Sequence, residues 1–180
     1  MTLRAAFLDR DGVINVDSGY VSRWDDFEYL PNVVEGMKVL QNAGFELVVV
    51  TNQSGIARGY YSEADFLFLS EMMKADLASK GVTLLSVYYC PYLEDADLEA
   101  YRQASELRKP EPGMLLKAAE EHGLDLARSI MVGDKASDML AAERAGVPDR
   151  YHLTEEAPYK ASMRVSSLLE AALEATGQST

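Results

Sequence analysis

The chain has 180 residues, 48% hydrophobic and 26% charged, with a formal net charge of −12; this is enough chain for one buried core, and the balance excludes a general nucleic-acid surface. No stretch approaches the roughly 20 uninterrupted apolar residues of a membrane span, and no basic region precedes an apolar targeting segment. The single cysteine, Cys90, excludes an internal disulfide and fits a reducing compartment, so the expected location is cytoplasmic.

In chain order, residues 3–9 read as a short buried strand whose tip carries Asp9 and Asp11, followed by Gly12. Residues 12–26 lack periodicity and contain the turn-rich stretch Asp17-Ser18-Gly19-Tyr20. Val33, Met37 and Leu40 fall at helical spacing over 32–43, with Gly44 as the stop. A β-branched run over 45–50 then ends in Thr51-Asn52-Gln53-Ser54-Gly55, repeating the form of the opening strand.

Ser62 with Asp65 three residues on resembles a helix start, and that helix is expected to run to about Lys80. Residues 84–89 form a third strand; the acidic segment 94–107 reads as surface loop or short helix; Arg108-Lys109-Pro110 opens a turn. A helix over 113–122, a strand over 129–132 with Gly133-Asp134-Lys135 at its tip, and a helix over 136–145 stopped by Gly146 follow. Tyr151–Leu153 makes a short last strand, and 162–175 a closing helix.

Alternating strands and helices with short connections predict an α/β fold, a mainly parallel sheet with helices on both faces, in a single domain over 1–180. Three tips then converge on one sheet edge: Asp9/Asp11, Thr51/Asn52 and Asp134/Asp138. Carboxylates from two tips make a hard oxygen site suited to Mg²⁺. Thr51 and the amides after it suit a phosphate, and Lys109 and Lys135 can neutralise its charge. Against the −12 background, such an anion site has to be a local positive island.

The ordered set FLDRDGVIN, VVVTNQSG, RKPEPG and MVGDKASD, spanning residues 7–138, resembles the four motifs of the haloacid dehalogenase (HAD) phosphohydrolase superfamily. Within it, GYV, TNQSGIARG and YYCP…RKPEPGMLL are similar to the branch that dephosphorylates heptose bisphosphates, with histidinol-phosphate phosphatases as nearest competitor. The resemblance implies a HAD-like Rossmannoid core without a large cap domain. It implies Asp9 as nucleophile, Asp11 as general acid and base, and Thr51 and Lys109 as stabilisers of the transferring group. Mg²⁺ would sit on the Asp9 side chain, the Asp11 carbonyl and Asp134, with Asp138 behind them. Arg108 and Lys135 would contact substrate, and Asp17, Ser18, Gly19, Tyr20, Asn52, Gln53 and Ser54 would line its pocket. The implied partner is a small sugar phosphate, with no nucleic acid and no membrane. Without an obvious unpaired apolar helix, a monomer is expected.

One feature departs from that pattern. Many members of the family carry a zinc loop with Cys-x-His after the third strand and Cys-x-Cys before Arg-Lys-Pro. Here Cys90 survives, but Tyr92, Ser105 and Leu107 stand at the other positions. One ligand of four does not hold a structural zinc, so none is expected, and Tyr92, Leu98 and Leu107 are expected to pack the 91–107 loop. Cys90 reads as a small buried residue, His122 and His152 as structural, and Tyr88 and Tyr89 as packing. Two readings of other classes compete with the enzyme. One is a binding module that has lost turnover, against which the intact Asp9, Asp11, Lys109 and Asp134 speak. The other is a nucleic-acid end-processing phosphatase, which the charge disfavours.

Overall fold

The computed structural model describes residues 2–178. Six strands, β1 (Arg4–Leu8), β2 (Phe45–Asn52), β3 (Leu84–Cys90), β4 (Ile130–Gly133), β5 (Asp149–Leu153) and β6 (Met163–Val165), form one sheet in the order β3-β2-β1-β4-β5-β6. Every neighbouring pair runs parallel. The helices are α1 (Val33–Asn42), α2 (Ser54–Ala57), α3 (Glu63–Ser79), α4 (Gly113–His122), α5 (Ala136–Ala145) and α6 (Leu168–Thr176).

Strand periodicity sorts the core into two layers. Ala6, Leu8, Leu47, Val49, Ile130 and Val132 point to one face, where α1, α3 and α6 supply Met37, Leu40, Met73, Leu77 and Ala171. The alternate residues Ala5, Phe7, Val48, Val50 and Met131 point to the other, covered by Met114, Leu115 and Ala118 of α4 and Met139 and Ala142 of α5. A sheet buried on both faces requires such near-continuous apolar strands. No described helix is long and apolar enough to cross a membrane.

Local signals set the helix ends. Ser62 Oγ accepts from the Asp65 amide at 3.1 Å, and the Ser62 amide donates to the Asp65 carboxylate at 2.8 Å, a reciprocal cap at the start of α3. Gly123 and Gly146 adopt left-handed backbone where α4 and α5 stop. The expected closing helix over 162–175 is corrected: its first residues form the edge strand β6, and Ser167 caps a shorter α6 by accepting from the Glu170 amide at 3.1 Å.

The chain leaves β1 for β2 and β3 on one side, then returns to place β4 on the other. The reversal lies beside β1, and in such sheets the crevice beyond the strand ends at that point receives the ligand.

Candidate active site

Asp9 follows β1 directly, and its amide donates to the Val132 carbonyl at 3.1 Å, continuing the β1–β4 ladder past the strand end. Lys109 arrives from the loop after β3 and is seated by Asn52 at the tip of β2. The Asn52 amide group donates to the Lys109 carbonyl and its oxygen accepts from the Lys109 amide, both at 3.0 Å. That pair of hydrogen bonds fixes where the long side chain enters. The ammonium then donates to Asp9 Oδ1 at 2.9 Å and the Val50 carbonyl at 2.8 Å, and lies 2.6 Å from Asp138 Oδ1. All three charged side chains are buried.

Burial alone would lower the Lys109 ammonium, but Asp138 and Asp9 hold it above the ordinary lysine value. Burial, with Asp138 and Asp134 adding repulsion against the pull of Lys109, pushes the Asp9 carboxyl well above the usual range. The Asp134 carboxyl is also raised, by burial and by Asp138. One ammonium therefore pairs with two of three clustered carboxylates and leaves an excess of negative charge in a largely buried pocket.

A divalent cation would answer that excess. Asp9, Asp134 and Asp138 each offer a carboxylate oxygen within 4.8 Å of the others, and Asp134 Oδ1 is buried with no hydrogen-bond partner. The donors are all hard oxygens, as Mg²⁺ prefers. Two glycines make room for the cluster. A Cβ on Gly12, whose φ is +86°, would lie 2.2 Å from Asp134 Oδ2, and one on Gly133 would lie 2.3 Å from the Asp138 Cβ. Asp138 also accepts from the Lys135 amide at 3.0 Å, capping α5.

Asp11 sits to one side of this centre. Its Oδ1 accepts from Arg10 Nη2 at 2.8 Å and Asn15 Nδ2 at 3.0 Å, and its Oδ2 from Gln53 Nε2 at 3.2 Å. Gln53 Nε2 also donates to Thr51 Oγ1 at 2.8 Å, while its oxygen accepts from the Tyr61 hydroxyl. Burial, assisted by Asp11 and Tyr20 and opposed by Arg10, pushes that phenol up to about 12. Asp11, Asp17, Gly19, Tyr20, Asn52, Gln53, Ser54, Tyr61 and Lys135 are among the residues that line a cavity of about 280 Å³.

Of the residues singled out in the sequence, Asp9, Lys109, Asp134 and Asp138 meet at the charged centre, and Asp11, Thr51 and Gln53 share one hydrogen-bond network beside it. Ser18 is exposed and does not line the cavity. Arg108 instead lines a neighbouring cleft of about 630 Å³ with Leu93, Ser105 and Glu106. Asp138, expected behind the metal ligands, touches both the Lys109 ammonium and the Lys135 amide.

Arg10, Asn15 and Tyr61 were not singled out. Arg10 is fully buried, and its place between the two aspartates was the available signal. Asn15 and Tyr61 carried none, because their roles depend on how the loops fold back.

The 91–107 segment packs in part as expected, with the Tyr92 ring 6.2 Å from that of Tyr101 and Leu107 turned inward, but its buried contacts come from Leu93 and Ala96. Leu93 and Ala96 are buried against Ala57, with Tyr101 alongside; the Leu98 side chain is partly exposed but lies over Gly59, and its amide donates to the Ala57 carbonyl at 3.0 Å. Leu107 packs towards the α4 and α5 layer. Cys90 is buried, and His152 accepts from the Tyr159 amide at 3.1 Å while its other ring nitrogen lies 3.2 Å from the Asp134 carbonyl.

A family model described as HAD-hydrolase-like matches residues 106–154. A D-glycero-β-D-manno-heptose-1,7-bisphosphate 7-phosphatase of Photorhabdus laumondii is 51% identical over 79% of this chain and 76% of its own. The same organism's D-glycero-α-D-manno-heptose-1,7-bisphosphate 7-phosphatase is 43% identical over 81% and 80%. Among solved structures, a D,D-heptose 1,7-bisphosphate phosphatase from B. bronchiseptica, complexed with magnesium and phosphate, superposes with a TM-score of 0.83. It is 29% identical, covering 96% of this chain and 97% of that one.

Proposed function

Because the chain belongs to the HAD phosphatases, we propose that it removes the 7-phosphate of D-glycero-D-manno-heptose 1,7-bisphosphate, with Mg²⁺ and through an aspartyl-phosphate. The observation that carries the mechanism is the buried Lys109 ammonium, 2.9 Å from Asp9 Oδ1 and 2.6 Å from Asp138 Oδ1. It holds a carboxylate in a water-poor pocket beside a second carboxylate, Asp11, that borders the cavity. The substrate reading is supported by the names of the relatives.

In the first step Asp9 attacks phosphorus, the bond to the sugar oxygen breaks, and Asp11 gives that oxygen its proton. In the second, Asp11 takes a proton from water, the water oxygen attacks phosphorus, and phosphate leaves Asp9. A carboxylate that becomes covalently occupied needs a separate acid and base, and the Asp9-Arg10-Asp11 turn supplies both. Bound at Asp9 and Asp134 with the Asp11 carbonyl, Mg²⁺ would supply charge neutralisation for the phosphoryl oxygens. Lys109 adds a fixed positive charge and Thr51 a hydroxyl on the protein side, and Asn52 seats the Lys109 backbone so that this charge stays in place.

The test is phosphate release with Mg²⁺ from heptose 1,7-bisphosphate in both anomers, fructose 1,6-bisphosphate and histidinol phosphate, with Asp9→Asn as control. A kcat/KM preference for the heptose, abolished in the variant, is the expected result. A preference for histidinol phosphate moves the protein to another substrate with the same chemistry. No turnover while Mg²⁺ still binds sinks the enzymatic reading in favour of a binding module.

A further inference from the structure

We propose that Tyr60 is a positioning residue for substrate selectivity, holding the Tyr20 ring at the mouth of the substrate cavity; the selectivity half of this rests on the sugar-phosphate reading above. Residues 16–20 are all exposed, and the loop is tied down by few bonds. The Gly19 amide donates to Asp17 Oδ1 at 3.1 Å, and Arg10 Nη2 donates to the Val21 carbonyl at 2.7 Å. Gly19 has φ +88° and Tyr20 follows with φ 53°. A bulky residue keeps a left-handed backbone only where its surroundings hold it there.

The side chain that meets Tyr20 is Tyr60, edge-on, with ring centroids 4.7 Å apart and planes at 77°. Tyr60 is itself 60% exposed, so the fold does not need its ring. Its backbone is nevertheless fixed. The Tyr60 amide donates to the Gly55 carbonyl at 2.9 Å, and the Gly59 amide to the Ile56 carbonyl at 3.0 Å. From behind, the Leu98 amide holds Ala57 at 3.0 Å, and Leu98 carbons lie 3.6–3.7 Å from where a Gly59 Cβ would stand. The turn therefore presents two tyrosines in opposite senses: Tyr61 inward to Gln53, and Tyr60 outward to Tyr20.

A small phosphate ester filling only the phosphate position does not reach this rim. A phosphosugar with a polyhydroxyl body and a second phosphate has to pass Tyr20, whose ring offers a flat apolar face to the sugar. Tyr60 acts through Tyr20, so its loss affects binding of the long substrate and leaves the chemistry alone.

The experiment compares wild type, Tyr60→Ala, Tyr60→Phe, Tyr20→Ala and the double alanine variant on heptose 1,7-bisphosphate and on p-nitrophenyl phosphate. Hydrogen exchange of residues 17–22 is followed in parallel. Tyr60→Ala is expected to raise KM for the bisphosphate about 2- to 10-fold, the range of one aromatic pair. Its kcat and its p-nitrophenyl phosphate kinetics stay as in wild type, Tyr60→Phe restores KM, and the double variant is no worse than Tyr20→Ala. Exchange of 17–22 becomes faster in Tyr60→Ala. Unchanged KM and exchange, or equal losses on both substrates, overturn the proposal. If wild type itself shows no preference for the bisphosphate, the substrate reading fails, and the exchange data alone decide whether Tyr60 positions Tyr20.

Discussion

At Lys109 one ammonium makes three short contacts inside the protein, to Asp9, Asp138 and the Val50 carbonyl. Eight residues earlier in the chain, Tyr101 leans on Leu93 and Ala96 and sends its hydroxyl to half-buried Glu63 at 3.0 Å, a carboxylate that Tyr89 shares. The first arrangement is a closed set of charges, each tolerable in a dry pocket only because the others are there. The second is a collection of small apolar contacts and single hydrogen bonds, none of which depends on the rest. Where the family pattern has metal ligands, the 91–107 loop has Tyr92, Ser105 and Leu107, and its order comes from that distributed packing. The difference teaches which positions are brittle: the loop rests on many weak contacts, and the charged centre on one tightly coupled set.

The comparison breaks hardest at Asp9. Asp9→Asn is expected to lower phosphate release by about 10⁴-fold or more, the scale of losing a covalent nucleophile. The same change is expected to raise the Tm of the metal-free protein at pH 8, because it removes a carboxylate held above its ordinary value. Lys109→Met goes the other way in stability. Leaving Asp9 and Asp138 buried and unpaired is expected to cost about 3–5 kcal/mol in urea unfolding, together with most of the turnover.

A raised Asp9 carboxyl also fixes the sign of a pH effect. The metal-free fold loses stability as pH rises through the elevated value, and Mg²⁺, which competes with that proton, binds more weakly as pH falls. Calorimetric titration of Mg²⁺ from pH 8 down to pH 5 is expected to show the decline, and a flat profile would remove Asp9 from the metal's ligands. Gly12→Ala places a methyl against Asp134 on a left-handed backbone. It is expected to cost about 1–3 kcal/mol and weaken Mg²⁺ binding. The smallest effect belongs to the loop. Tyr101→Phe removes one hydrogen bond to Glu63 and is expected to cost about 1 kcal/mol of stability, with kcat unchanged.

Much of the centre was legible because strand, tip residue and glycine recur in the sequence. A short apolar or β-branched run ending in Asp, Thr or Gly-Asp says where a parallel strand stops and what it carries, and Asp9, Thr51 and Asp134 follow from that, whereas Lys109 is marked by the Arg108-Lys109-Pro110 turn and the motif it belongs to. The rim was less legible, because its order arises from contacts between loops. Nothing local says that Arg108 stays at the 630 Å³ cleft that both residues border while the Lys109 ammonium turns to Asp9, or that Tyr61 reaches Gln53. The edge strand β6 is illegible for a similar reason. Met163-Arg164-Val165 is three residues long with only Val165 buried, too short for an alternating pattern, and its place comes from pairing with β5.

The sheet order has a consequence for synthesis of the chain. The strand that carries Asp9 is made first, yet it lies between β2 and β4 and is completed by residues about a hundred positions later. On a ribosome adding about 5–20 residues per second, roughly ten seconds pass between the emergence of Asp9 and that of Asp138. For most of that interval the nascent chain holds Asp9 and Asp11 without Lys109, Asp134 or the β4 ladder. Catalytic competence is therefore switched on once, late, when β4 docks beside β1, and a growing chain has no partially active form to restrain.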